Sequence, residues 1–126
     1  MLSKWHRLEY GPGDEPDTCA ALATAPLGSP WFDGHFPGQP ILPGIAMIAM
    51  AFEAARQQEL KSGAGIRLKS VTRVRFKKPV RPDEQIEIKL EREQRAGDAS
   101  YRFTILVGNE AGCTGILHTE PLAVKN

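Results

Sequence analysis

The side chain best suited to acid–base chemistry in this chain is His35, which lies in a segment rich in proline and glycine. Histidine is the residue whose ordinary range of protonation falls near neutral pH. Residues 31–44 contain three prolines and three glycines, a composition that suits neither a continuous helix nor a central strand. The sequence therefore predicts a stiff loop that holds His35 in a defined place.

The loop leads into a segment that predicts a buried helix with an accessible N-terminus. Every residue from 45 to 52 is apolar, as expected of a helix without a polar face. Pro43 suits the first turn, and Gly44 would let another group approach the free N–H groups at the positive end of the helix dipole. The helix is predicted to end near Ser62-Gly63. A histidine beside such an N-terminus indicates a candidate active site.

The rest of the chain predicts β-strands around this helix. Short strands are predicted at 4–10 and 19–25, and alternating apolar residues predict further strands after Gly65. The first of these strands has an apolar face and a basic face, with Val71 as the exception to the alternation. One buried helix followed by a meander of alternating strands fits an α+β fold, in which an antiparallel sheet wraps around one long central helix.

The loop also carries a motif that points to a family. Its residues are Phe32-x-Gly34-His35-Phe36-Pro37-Gly38-x-Pro40-Ile41-x-Pro43-Gly44. This motif resembles the signature loop of the 3-hydroxyacyl-(acyl carrier protein) dehydratases of the hotdog fold. A second segment, Val74-Arg75-Phe76-Lys77-Lys78-Pro79-Val80-x-Pro82, is similar to the strand and turn that follow the family's helix. The resemblance covers roughly residues 18 to 120 and implies a single hotdog domain, residues 1–126.

The resemblance assigns roles in the dehydration of 3-hydroxyacyl thioesters. The family's base is the loop histidine, here His35, and its donor to the thioester carbonyl is a backbone N–H, here that of Gly44. The family's third group is an Asp or Glu fourteen residues after the histidine, and this chain has Ala49 there. Glu53 lies one helical turn later on the same face and is the candidate for a displaced acid, although it could instead pair with a basic side chain.

The composition limits the classes of partner and the cellular compartment that we expect. Sixteen basic and fifteen acidic residues give a net charge of +1, so nucleic acid and membrane surfaces are not expected partners. No segment has the length of a membrane span or the core of a signal peptide, and no group of residues has metal-ligand spacing. We expect a cytoplasmic protein without a cofactor or metal. His6 and His118 belong to no motif and are expected at the surface or at an edge.

The resemblance also implies an acyl thioester substrate, an acyl carrier protein as partner, and a homodimer that shares its site between protomers. The basic face of residues 67–77 would attract an acidic carrier protein, or it would be an ordinary solvated strand face. Because Ala49 replaces the carboxylate, two alternatives to a dehydratase stay open. One is a binding or scaffolding homologue that has lost its chemistry, and the other is a hotdog thioesterase.

Overall fold

A six-stranded antiparallel sheet packs against one long helix in the computed structural model of the protein, which describes residues 5–34 and 38–122. The helix α1 spans Gly44–Leu60, and a 3-10 turn at Pro30–Phe32 precedes it. The strands are β1 (Arg7–Pro12), β2 (Thr18–Thr24), β3 (Ile66–Phe76), β4 (Ile86–Arg95), β5 (Asp98–Val107) and β6 (Glu110–Pro121). Their order in the sheet is β1-β2-β4-β5-β6-β3, so β1 and β3 are the edge strands.

The core lies between the sheet and one side of α1. Alternate residues of the central strands β4 and β5 are buried, as the period of two predicts: Ile86, Ile88, Leu90, Tyr101, Phe103, Ile105 and Val107. The helix meets them with small and flexible side chains: Ala46, Met47, Met50, Ala51, Ala54 and Ala55. Alanines on β2 at positions 21 and 23 are also buried. Small residues on both surfaces let the helix approach the sheet closely.

The opposite side of the helix is less covered than its composition predicts. Ile45 is 64% exposed, and Ile48, Ala49 and Phe52 are only partly buried. These four residues follow the i, i+3, i+4, i+7 spacing of one helix face. We call them the apolar stripe. The prediction of a helix buried on every side is therefore wrong for the single chain, because one sheet covers only one side.

Two irregularities in β3 explain the residue that broke its predicted alternation. The register between β3 and β6 shifts between Leu68 and Ser70 and again between Thr72 and Arg75. Arg73 has a φ of 56°, a left-handed value that marks the second irregularity. Each extra residue reverses which face the following side chains occupy. Val71 consequently packs against the core, together with Leu68 and Val74.

A polar cluster joins the C-terminal part of the helix to the sheet. Glu59 is 8% exposed; its Oε1 accepts a hydrogen bond from the Tyr101 hydroxyl and one of 2.5 Å from Arg92 Nε. Burial raises the pKa of Tyr101, and the neighbouring Glu59 raises it further, so the phenol stays protonated and donates. A buried carboxylate is tolerated here because it has both a charge partner and a hydrogen-bond donor.

Removing the Tyr101 hydroxyl should weaken this cluster measurably. Tyr101→Phe keeps the ring and deletes one donor to a buried carboxylate, so we expect the free energy of unfolding to fall by about 1–2 kcal/mol. Urea denaturation checks this value. Tyr10→Phe is the matched control, because Tyr10 is only partly buried, and its loss should be smaller. Equal losses in the two variants would contradict the importance assigned to the Glu59 contact.

Candidate functional site

The loop that carries His35 is anchored where it begins. Ser29 is buried, and its Oγ accepts a hydrogen bond from the Trp31 backbone N–H at 3.1 Å while donating one of 2.5 Å to the Trp5 carbonyl. Phe32 is 8% exposed and belongs to the core. The Trp5 and Trp31 rings meet edge to face with centroids 4.9 Å apart. The 3-10 turn therefore fixes the direction in which the chain enters the loop.

The loop is also anchored where it ends. The Leu42 backbone N–H donates to the Val80 carbonyl at 2.7 Å, and both side chains are almost completely buried. Val80 lies in the connection after β3, so the second motif segment supports the first. His35, the predicted base, lies outside the described residues, as do Phe36 and Pro37. The contacts that anchor the loop before and after His35 lie within the described residues.

Gly44 is the first residue of α1, as predicted. Pro43 is the N-cap residue and makes no side-chain capping hydrogen bond, and the first turn contains no acidic residue. The backbone N–H groups of that turn are therefore without a side-chain cap. A Cβ built on Gly44 would come within 2.5 Å of Phe76 Cζ, so glycine is needed for the ring to pack against the helix start. Phe76 is itself 55% exposed.

Glu53 contacts a histidine that the sequence placed at the surface or at an edge. His6 directly precedes the edge strand β1, but it is only 9% exposed, so the expectation of a surface position is wrong. Its Nε2 lies 3.3 Å from Glu53 Oε2, and its Nδ1 accepts a hydrogen bond from Trp31 Nε1 at 3.1 Å. His6 belongs to no motif and lies 47 positions from Glu53, so no local signal predicts the contact. The pairing of Glu53 with a basic residue, one of the two alternatives from the sequence, is present.

The helix separates Gly44 from the carboxylate of its own chain. Glu53 lies nine positions after Gly44, which corresponds to about 180° around the helix and about 14 Å along it. Ala49 is partly buried and belongs to the apolar stripe, with Glu53 next to that stripe one turn later. In a single chain, Glu53 therefore lies on the side of the helix opposite to Gly44, and its carboxylate is displaced along the helix from the Gly44 N–H.

Neither cysteine has the environment of a nucleophile. Cys19 and Cys113 are free thiols and both are buried. Burial raises the pKa of each thiol to about 11. The reactive form of cysteine is the thiolate, and it is scarce at neutral pH in such surroundings. The two cysteines therefore belong to the packing of the core.

Three further findings concern metal binding, membrane spanning and a surface groove. In residues 5–34 and 38–122, no three His, Cys, Asp or Glu side chains come together as metal ligands. None of the described helices has the length and apolar character to cross a membrane. A groove of about 540 Å³ lies on the outer face of the sheet, where Thr72, Ser100, Arg102 and His118 are among its lining residues. It includes neither Gly44 nor Glu53, and it is separate from the helix start.

Comparison with known proteins identifies relatives that match most of this chain. A family model described as ApeI-like, the ApeI dehydratase, matches residues 13–115. The 3-hydroxyacyl-(acyl carrier protein) dehydratase FabZ of Haemophilus influenzae strain 86-028NP is 33% identical over 105 residues, which cover 79% of this chain and 71% of that protein. The FabZ of Variovorax paradoxus is 30% identical over 105 residues, or 77% of this chain and 70% of the relative.

Solved structures share the fold. The dehydratase heterocomplex ApeI:P from Xenorhabdus doucetiae aligns with a TM-score of 0.68 at 22% identity, over 94% of this chain and 98% of that chain. A hypothetical thioesterase with coenzyme A from Streptococcus pneumoniae aligns with a TM-score of 0.73 at 11% identity, over 95% and 92% of the two chains. The predicted hotdog fold, an antiparallel sheet around one central helix, is confirmed. The dehydratase family predicted from the loop motif is confirmed as well: the chain belongs to the ApeI-like dehydratase family.

Proposed function

We propose that this protein removes water from 3-hydroxyacyl thioesters, with His35 as the base. The observation that supports this most is the geometry around the start of α1. The loop of His35 is anchored at Phe32 and Leu42, and it ends at a glycine that begins a helix without a side-chain cap. A base beside free backbone donors is what proton abstraction next to a thioester carbonyl requires.

The proposed reaction uses each of these groups once. A ring nitrogen of His35 takes the C2 proton, and the electron pair of that C–H bond forms the C2=C3 double bond. The C3–O bond breaks, and the hydroxyl leaves with its electron pair and receives a proton to become water. The Gly44 N–H donates to the thioester oxygen, on which negative charge develops. The positive end of the helix dipole stabilises that charge.

The proton for the departing hydroxyl is proposed to come from Glu53. Ala49, which stands where the resemblance places a carboxylate, has no group that can donate a proton. Glu53 Oε2 is occupied by His6, which leaves Oε1 to carry the proton. Because Glu53 and Gly44 of one chain face different sides of the helix, this acid would serve the site of a second protomer.

A homodimer is therefore part of the proposal. The apolar stripe around Ile45 and the exposed ring of Phe76 lie next to the helix start. Within the described residues, β3 is an edge strand of the sheet, and such an edge is a ready surface for a second strand. Covering the stripe with a second copy would remove apolar surface from water and bring Glu53 of one protomer toward Gly44 of the other.

The proposed substrate is delivered by an acyl carrier protein. Arg73, Arg75 and Lys77 lie at the end of β3 close to Phe76, and all three are exposed. Other basic residues of the strand have acidic neighbours, since Lys69 pairs with Asp98 at 3.0 Å and Arg67 pairs with Glu120. An acidic carrier would meet this exposed basic end of the strand, near the helix start. We place the reaction in the cytoplasm and treat residues 1–126 as one domain.

A second candidate function is acyl-thioester binding without catalysis. The observation that favours it is Ala49 itself, together with the engagement of Glu53 by His6. Such a homologue would keep the loop, the helix start and the dimer but would turn over no substrate. Thioester hydrolysis is a weaker candidate, because the thioesterase neighbours share only the fold with this chain.

The role of His35 is tested with a panel of 3-hydroxyacyl thioesters on carrier protein and on coenzyme A. Mass spectrometry should record the loss of one water. His35→Ala should lower the rate by about 10²–10⁴-fold, as expected for loss of a general base, with little change in melting temperature. His118→Ala is the matched control, because His118 lies on the outer face of the sheet. An active His35→Ala variant would contradict the assignment.

Glu53 and Ala49 decide between catalysis and binding alone. Glu53→Gln keeps an oxygen that accepts from His6 but cannot donate an acid proton, so it should remove most of the activity. If the wild-type protein is inactive and Ala49→Glu creates turnover, the protein is the binding homologue. The new side chain could cost about 1–3 kcal/mol by overpacking, so folding is checked first by circular dichroism. A wild-type rate that Glu53→Gln leaves unchanged would remove Glu53 from the mechanism.

The dimer is tested on the apolar stripe. Ile45→Glu places a charge on the surface that the second protomer would cover, so light scattering at micromolar concentration should show a shift from dimer to monomer. Leu27→Glu is the matched control, since Leu27 is 65% exposed and Ile45 is 64% exposed. The control should stay dimeric. A wild-type monomer, or a dimer that tolerates Ile45→Glu, would count against the shared site.

A further inference from the structure

The N-terminal segment, which precedes the part of the chain matched by the family model, contacts residues within that part. The family model begins at residue 13, whereas Trp5 and His6 pack against the beginning of the loop. The side chain of His6 is 11% exposed and that of Glu53 is 15% exposed. Hydrogen bonds in such a site are stronger than in water, because the surroundings are less polarisable.

The hydrogen bonds of His6 have a fixed direction. The indole N–H of Trp31 can only donate, so His6 Nδ1, at 3.1 Å, is the acceptor. A neutral imidazole that accepts at Nδ1 carries its proton on Nε2. That nitrogen lies 3.3 Å from Glu53 Oε2, which is therefore an acceptor. The chain of donors runs from Trp31 through His6 to Glu53.

Trp31 and Glu53, the two ends of this series of hydrogen bonds, lie in the two elements that flank the candidate site. Trp31 lies in the 3-10 turn, four positions before His35. Glu53 lies in the middle of α1, whose first residue is Gly44. His6 hydrogen-bonds both the 3-10 turn, at Trp31, and the helix, at Glu53, so it is a polar link between them.

We propose that His6 is a positioning residue that fixes the 3-10 turn preceding His35 against α1 through the donor chain from Trp31 to Glu53. Its effect on catalysis rests on the proposed dehydratase function. Its effect on structure does not, because the hydrogen bonds exist without substrate. His6 orients Glu53 and holds the 3-10 turn at the beginning of the loop. It does not touch the reacting atoms.

The test compares His6→Leu with His6→Gln. Leucine fills the space without hydrogen bonds, whereas the glutamine amide can accept from Trp31 and donate to Glu53. We expect His6→Leu to lower kcat by about ten- to a hundredfold, as small misplacements of catalytic groups do, with KM nearly unchanged. His6→Gln should restore most of the rate. Equal losses in the two variants would overturn the proposal, because packing alone would then explain them.

A readout without substrate separates this proposal from the proposed function. Nitrogen NMR shifts of the wild-type His6 ring should show the proton on Nε2. The indole N–H signal of Trp31 and the amide signals of residues 33–39 should move in His6→Leu and stay near their wild-type positions in His6→Gln. An inactive wild type with these shifts would refute the dehydratase function and keep the positioning role. A proton on Nδ1, or loop signals that ignore His6→Leu, would overturn the positioning role even in an active enzyme.

Discussion

The structure depends on a helix that is apolar on two sides and covered by its own sheet on only one. Ala46, Met50 and Ala54 are completely buried against the strands, while Ile45 on the other side is mostly exposed. Exposed apolar surface of this kind marks a binding or assembly surface. The same end of the helix carries the backbone N–H of Gly44, in a first turn without a side-chain cap. A second protomer that covers the apolar stripe would thus also complete the proposed site.

The candidate site is held by contacts that are ready before any substrate binds. Leu42 hydrogen-bonds to Val80, Phe76 packs against Gly44, and Ser29 caps the turn that enters the loop. Groups that are oriented in advance stabilise developing charge without reorganising during the reaction. The glycine at the end of the loop is needed for the same reason, because any larger residue would displace the Phe76 ring from the helix start.

The sequence predicted what depends on local pattern and missed what depends on distant partners. The helix start at Gly44 follows from Pro43 and the apolar run after it, and the strands follow from their alternation. The irregularities in β3 were not predictable, because they are defined by its register with β6 and leave only the exception of Val71 as a sign. The burial of His6 was missed for the same reason, since its partner Glu53 is 47 positions away. Glu59 and Tyr101, 42 positions apart, were also not foreseen.

The most direct test of the account is hydrogen exchange at C2 of a 3-hydroxyacyl thioester in heavy water, followed by mass spectrometry. Exchange reports removal of the C2 proton, and loss of water reports departure of the hydroxyl, so the base and the acid are observed separately. We predict that the wild-type protein both exchanges the C2 hydrogen and releases water, and that His35→Ala does neither. A folded, dimeric wild-type protein that does neither, with carrier protein and with coenzyme A thioesters alike, would contradict the account.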